Sequence, residues 1–307
     1  MTNREIFNFG KNMVDMVARE IFKSARKESL GTVVEEHGAA GHEVLLADEI
    51  SERIIRAAVK QCTKECSAER FVTISEGSGI VEYGDKDAED GIFMIIDPID
   101  GTNNNVRPWK TPAPATCVSI ALGSIKDALK MPHLQSVRVG VVKDIFGKGM
   151  IWAIKGEGAE HEDYGKIHTS PIDNLEKAVL GVDLDDKKNF DEVLKNVAPL
   201  MKQAKCQRRI GSSILDMWRV ATGEYDAYIT ISGRMKIYDI AAVKLIIEEA
   251  GGIFEEQLKG EVIDNLLKEL LETKSLNCLK TCKFNVITSG NKILHDKIKG
   301  ELPQINL

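Results

Sequence analysis

The sequence predicts an α+β chain whose second half is α/β, and three patterns predict it. Two amphipathic helical stretches open the chain, several strand-like runs then succeed one another without long helices between them, and after about Ser170 strands and helices alternate. The expected division is an N-terminal α+β half over residues 1–170 and a C-terminal α/β half over 171–307.

Thr2-Asn3-Arg4-Glu5 reads as a capping box, and Ile6, Met13, Val14, Val17, Ala18 and Ile21 follow at helical spacing. A Gly-rich break at Gly38-Ala39-Ala40-Gly41 precedes a second helical pattern through Ala47, Ile50, Ile54 and Ala58, with Asp48 near its start. Residues 71–75 then read as a short buried strand that ends in Glu76, before Gly77 and Gly79.

The apolar run 92–96 predicts another buried strand, delivering Asp97-Pro98-Ile99-Asp100-Gly101-Thr102 and three asparagines. Strand-like runs at 116–122, 137–142 and 150–154, separated by polar or Gly-containing turns, suggest an antiparallel region. The alternation that follows gives strand 178–182, helix 190–204, strand 207–210, helix 213–221 and strand 227–231. A helix begins at Tyr238-Asp239 and is stopped by Gly251-Gly252. The Leu-, Glu- and Lys-rich segment 258–279, helical in pattern beyond Gly260, reads as a peripheral helix or lid.

A chain of 307 residues can bury a large core. Its formal charge of −6 and pI near 5.7 argue against a general nucleic-acid binder. No apolar stretch approaches a membrane span and no secretory core stands at the N-terminus, so a cytoplasmic location is the expectation. Six cysteines are too few for a disulfide scaffold. Cys62/Cys66 and Cys278/Cys282 share a spacing that sets both thiols on one helical face, compatible with a zinc or redox pair as well as with ordinary reduced cysteines.

The chemistry concentrates at Asp97 to Thr102. Two carboxylates three residues apart cannot both point inward from one regular strand, so Pro98 and Gly101 are expected to turn the chain and bring them together. Asp oxygens are hard ligands suited to Mg²⁺, which shares its shell with water and substrate phosphate, and the N–H groups of Gly101 and Thr102 would meet that phosphate if they open a helix. An ordinary Asp-rich turn is the plain alternative. Glu76 could likewise be a solvated loop residue, and Asp239 a simple helix cap.

Taken together and in this order, Ile74-Ser75-Glu76, Asp97 to Thr102 with Asn104, and Asp239-Ile240-Ala241-Ala242 with Glu249-Ala250-Gly251-Gly252 resemble the inositol monophosphatase family. They also resemble its archaeal-type fructose-1,6-bisphosphatase relatives among the lithium-sensitive, metal-dependent sugar phosphatases. The likeness runs from about Asp48 to Phe254. It implies a layered α-β-α-β-α sandwich of the sugar phosphatase type and a Mg²⁺-dependent phosphomonoesterase with two or three ions per site. It further implies a homodimer or larger assembly, and a small phosphate ester as partner.

Carried over by position, the resemblance gives Glu76, Asp97 and the Ile99 carbonyl one Mg²⁺, and Asp97, Asp100 and Asp239 a second. Metal-activated water would attack phosphorus in line. Thr102, aided by Glu76, would orient and deprotonate that water. Asp48 matches an acid that supports the Thr hydroxyl, although a charge favoured by the helix dipole explains it equally well. Gly101 and Thr102 would carry the phosphate, and Gly211-Ser212-Ser213 would lie near the sugar.

Three departures stand out. Gly77 occupies the place of a second Glu common in the family, Asn105 that of an aromatic, and Ser232-Gly233-Arg234-Met235-Lys236 that of an acid meeting substrate hydroxyls. The basic pair Arg234 and Lys236 suits a second phosphate or another anionic group, unless both merely face solvent. A covalent haloacid-dehalogenase-type mechanism needs an acid two residues before the Asp of Asp-Gly-Thr, where this chain has Pro98. Inositol 1-phosphate, fructose 1,6-bisphosphate and a nucleotide 3′-phosphate all remain open as substrates, as does a non-catalytic phosphate binder on this scaffold.

Overall fold

A computed structural model describes residues 1–25, 33–35, 44–65, 68–88, 90–105, 115–131, 133–147, 149–259, 263 and 265–302. Helix α1 (Asn3–Ala25) starts from the expected capping box, with Thr2 N donating to Glu5 Oε2 at 2.7 Å and Glu5 N donating to Thr2 Oγ1 at 3.3 Å. Its apolar stripe, Ile6, Met13, Val14, Val17 and Ile21, is buried. A short antiparallel pair, β1 (Val33–Glu35) and β2 (Val44–Leu45), leads into α2 (Leu46–Glu65), which packs beside α1.

Next come β3 (Arg70–Ser75), β4 (Gly79–Gly84), β5 (Ile92–Asp100), the single turn α3 (Thr102–Asn105), β6 (Cys117–Ser124) and α4 (Ile125–Ala128). They are followed by β7 (Val137–Asp144), β8 (Met150–Ile154), β9 (Gly158–His161) and β10 (Gly165–Lys166). These strands form one sheet in the order β10-β9-β8-β7-β6-β5-β3-β4, antiparallel throughout except for the parallel pair β3–β5.

The rest of the chain supplies β11 (Val179–Val182), α5 (Phe190–Gln203), β12 (Cys206–Arg208), α6 (Ser213–Ala221), β13 (Ala227–Met235) and α7 (Ile237–Glu249). It closes with β14 (Ile253–Lys259), α8 (Leu266–Thr273), α9 (Leu276–Thr281), β15 (Lys283–Ser289) and α10 (Lys292–Glu301). The second sheet has the order β12-β11-β13-β15-β14. Its β12, β11 and β13 are parallel, as the alternation predicts, while β15 runs antiparallel to both β13 and β14.

Three cores stack these elements into five layers, as the sequence resemblance implies. One lies between α1/α2 and the outer face of the first sheet, a second between the two sheets around α6 and α7, and a third between the second sheet and α5/α10. Helix α7 is apolar on nearly every side because it is covered by both sheets.

Segment 258–279 differs from the expected peripheral helix or lid. Leu258 and Lys259 are the last residues of β14, and two short helices follow, separated by Lys274 in the left-handed region (φ 54°) and restarted by the Ser275 N-cap. Leu266, Leu267, Leu270, Leu271 and Leu279 belong to the central core, so burial of a leucine face anchors this segment. Among the described residues no helix is long and apolar enough to cross a membrane.

Candidate active site

Strand β5 alternates as a strand buried on both faces should, with Phe93 and Ile95 entering the central core and Met94 and Ile96 the outer one. It does not end at Ile96 but runs through the Asp-Pro-Ile-Asp segment, with its register against β6 broken between Asp97 and Asp100. Asp97 stands opposite Ser119 and Asp100 opposite Cys117, so three residues of β5 advance against two of β6. That β-bulge reverses the side on which the later residue emerges, and both carboxylates face the central layer. The expected reversal is therefore achieved inside the strand, and the turn proper follows at Gly101.

Gly101 has φ +84°, and a Cβ there would lie 2.5 Å from the Ala115 carbonyl oxygen, so both backbone and space demand glycine. Thr102 follows at the start of α3. Asn104 Nδ2 donates to Ala115 O at 2.7 Å and Ile210 O at 3.1 Å, tying this turn to the loop that enters α6.

Ser212 caps α6, accepting Leu215 N at 3.2 Å, and also donates through Oγ to Asp100 Oδ2 at 2.5 Å. Ile214 N donates to the same carboxylate oxygen at 2.8 Å. The positive end of α6 is thus directed at Asp100. Asp97, only 2% exposed, accepts Ile99 N on Oδ1 at 3.0 Å.

Glu76 begins the three-residue turn between β3 and β4, beside the parallel neighbour β5. Tyr238 OH donates to Glu76 Oε1 at 3.4 Å, and the next residue, Asp239, accepts Lys236 N on Oδ2 at 2.6 Å in the first turn of α7. Two strand ends and one helix start therefore bring Glu76 and Asp100 into electrostatic range of Asp239, and Glu76, Asp239 and Asp97 into range of Tyr238.

Burial raises the Asp239 carboxyl well above the ordinary range, and repulsion from Glu76 and Asp100 adds to it. Asp100 is raised by burial against the opposing bonds from Ser212, Ile214 and Gly101, with Asp183 adding repulsion. The buried Cys117 thiol is pushed well up, first by burial and then by Asp100 and Asp97. By chemistry these oxygens suit a hard divalent cation, which would offset the burial and repulsion that raise Asp239 and Asp100. Among the described residues no three His, Cys, Asp or Glu side chains are grouped to hold one ion. The carboxylates are held instead by local donors, the Ile99 and Lys236 amides, Ser212 and Tyr238.

The family model described as the inositol monophosphatase family matches residues 2–285. The chain belongs to the inositol monophosphatase family. It is a phosphatase, of a generally metal-dependent kind. A fructose-1,6-bisphosphatase/inositol-1-monophosphatase of Methanothermobacter thermautotrophicus is 29% identical over 95% of both chains. A bifunctional NADP phosphatase/NAD kinase of Methanococcus maripaludis is 29% identical over 92% of this chain and 47% of its own length. The crystal structure of the extragenic suppressor protein suhB from Bartonella henselae superposes with TM-score 0.73 at 22% identity, over 98% of this chain and 99% of that one, which shows the fold.

Lys236, expected as an anion ligand, is only 5% exposed, and its Nζ donates to Lys280 O at 2.7 Å and Leu279 O at 3.4 Å at the end of α9. Burial and Lys283 lower its pKa against the pull of Asp239 and Glu76, and its two carbonyl bonds clamp the start of α7 to the end of α9. Arg234 is exposed. Gly211 and Ser212 are committed to Asn104 and Asp100, and Ser213 begins α6 half-buried.

Asp48 lies on α2, but its side chain is outside the described residues, as are the side chains of Cys62 and Asn105 and the whole of Cys66. Cys278 and Cys282 are buried thiols with sulfurs 3.5 Å apart.

Sequence reasoning missed four nearby groups. Asp183 follows β11, accepts Thr230 Oγ1 at 3.2 Å and acts on Asp100; an acid at a strand end was the available signal, as at Glu76. Tyr238 looked like one more apolar position of α7. Asp216, one turn into α6, is buried, with its carboxyl raised to about 7 chiefly by desolvation. Glu52 accepts three hydrogen bonds around the Glu76 turn, and its four-residue spacing from Asp48 on α2 could have flagged it.

Proposed function

We propose that this chain is a Mg²⁺-dependent phosphomonoesterase acting on a small phosphorylated sugar or polyol. The observation that supports the reading is the bulge in β5, which sets Asp97 and Asp100 on one face of the strand, with Asp100 and Glu76 both in electrostatic range of Asp239. Glu76, Asp97 and the Ile99 carbonyl would hold one ion, and Asp97, Asp100 and Asp239 a second, with a third near Glu76. Bound there, the ions would supply positive charge to phosphate oxygens and acidify water.

The chain's own groups would do the rest. Gly101 and Thr102 would receive the phosphate at the turn after Asp100. The Thr102 hydroxyl, aided by Glu76 and supported by Asp48, would orient the attacking water and take its proton. Ser212 and Ser213 would border the ester's organic part, and Arg234, exposed at the end of β13, would meet a second anionic group.

The name of the Methanothermobacter relative supports a sugar bisphosphate or inositol phosphate, and that of the Methanococcus relative a second reading, a phosphate on a nucleotide ribose. Phosphate release from inositol 1-phosphate, fructose 1,6-bisphosphate, NADP and a nucleotide 3′-phosphate, with Mg²⁺ and with EDTA, separates these readings. Release that persists equally in EDTA would refute the metal-dependent mechanism. A homodimer is the expected assembly, and light scattering in solution tests it.

A further inference from the structure

The turn that carries Glu76 is braced from α2. Glu52, 3% exposed, receives Ser75 Oγ on Oε1 at 2.5 Å, Ser78 N on the same oxygen at 3.1 Å and Ser78 Oγ on Oε2 at 2.7 Å. Ser75 is the last residue of β3 and Ser78 the last of the turn, so one carboxylate grips both sides of the two residues between them, Glu76 and Gly77. The two serine hydroxyls are also 2.9 Å apart, closing a small network around that carboxylate.

Gly77 fits this arrangement sterically. A Cβ at that position would lie 2.9 Å from Glu52 Cγ and 3.0 Å from its Oε1, so the space a side chain would take is filled by Glu52. The carboxylate missing at position 77 relative to the family pattern thus has a neighbour from another element in its place. One bond from the end of β3 and two from the last residue of the turn meet on this single carboxylate and hold the turn between them.

We propose that Glu52 is a positioning residue for Glu76, holding the β3–β4 turn so that Glu76 presents its carboxylate to a divalent cation, with Gly77 leaving the room that Glu52 requires. This rests on the metal reading above. Glu76 is then oriented from two sides, through its backbone by Glu52 and at its Oε1 by Tyr238 OH.

The test is calorimetric titration of Mn²⁺ into the whole chain, read without turnover, for wild type, Glu52→Ala, Glu52→Gln, Gly77→Ala, Glu76→Ala and Glu52→Ala/Glu76→Ala. Thermal unfolding of each metal-free protein runs alongside. Glu52→Ala and Gly77→Ala are expected to weaken the tightest Mn²⁺ site by about tenfold or more, the scale set by loss of an outer-shell partner, with Glu52→Gln between them and wild type. In the Glu76→Ala background the Glu52→Ala change should weaken Mn²⁺ no further, because its effect passes through Glu76.

A smaller effect than this in folded Glu52→Ala, or the same loss with and without Glu76, overturns the positioning role while leaving the metal reading in place. Wild-type protein that takes up no Mn²⁺ overturns both. Should Glu52→Ala fail to fold, Gly77→Ala and Glu52→Gln decide by the same criterion.

Discussion

The carboxylate of Asp100 and the hydroxyl of Ser212, 112 positions apart in the chain, meet at 2.5 Å and join the first sheet to the start of α6. The same hydroxyl accepts Leu215 N, so one side chain both caps a helix and holds a proposed metal ligand.

Ser212→Ala removes both contacts and leaves Asp100 with the Ile214 and Gly101 amides. The expected stability loss is about 1–3 kcal/mol, measured by urea unfolding of metal-free protein. Because the Ser212 bond opposes the upward push of burial on Asp100, its loss raises that carboxyl further. The acid limb of the rate profile should therefore move to higher pH. An unchanged acid limb would show that Asp100 does not control it.

Asp97→Asn tests charge apart from shape. The amide oxygen can still accept Ile99 N, so the bulge and the fold are expected to persist. Turnover at saturating Mg²⁺ should fall at least as far as for an outer-shell loss, about 10- to 100-fold, with the unfolding midpoint little changed. Near wild-type turnover would remove Asp97 from the metal site.

Much of the candidate site was legible in order and spacing. Asp97, Asp100 and Asp239 announce themselves by motif, and the need to turn two acids to one face follows from the period of a strand. What the sequence does not carry is the device: a bulge is a mismatch with a partner strand, and Ser119 and Cys117 are known as partners only once β6 is laid beside β5. The same holds for charge. Lys236 reads as a cation near an anion site, yet its ammonium is used by carbonyls more than forty positions away, a contact that no local pattern encodes. Glu52 was hidden for the converse reason, because a polar residue on an amphipathic helix ordinarily faces water, whereas this one faces a turn.

Arg234 and Lys236 should accordingly separate in mutation. Arg234→Ala is expected to raise KM for a substrate with a second anionic group and leave the unfolding midpoint nearly unchanged, as for an exposed side chain. Lys236→Met strands the carbonyls of Leu279 and Lys280 and should cost about 1–3 kcal/mol of stability. A midpoint unchanged in Lys236→Met would remove the clamp role.

Asp216 provides a pH test of the core. Its folded-state pKa is raised to about 7 from an ordinary 3.8, with burial as the main cause and the Ile210 amide and Arg219 opposing it. Between these values the folded chain keeps a proton that the unfolded chain has released, so stability declines as pH rises. The contribution is complete below the unfolded pKa and lost as pH passes the folded one, a change of about 4 kcal/mol across the window. Asp216→Asn removes the titration while retaining an acceptor at the same place. In EDTA, the urea midpoint of wild type is expected to drop relative to Asp216→Asn between pH 5 and pH 8. A constant difference between the two proteins across that range would mean that Asp216 is already ionised in the folded chain at pH 5, paired with Arg219 strongly enough to overcome its burial.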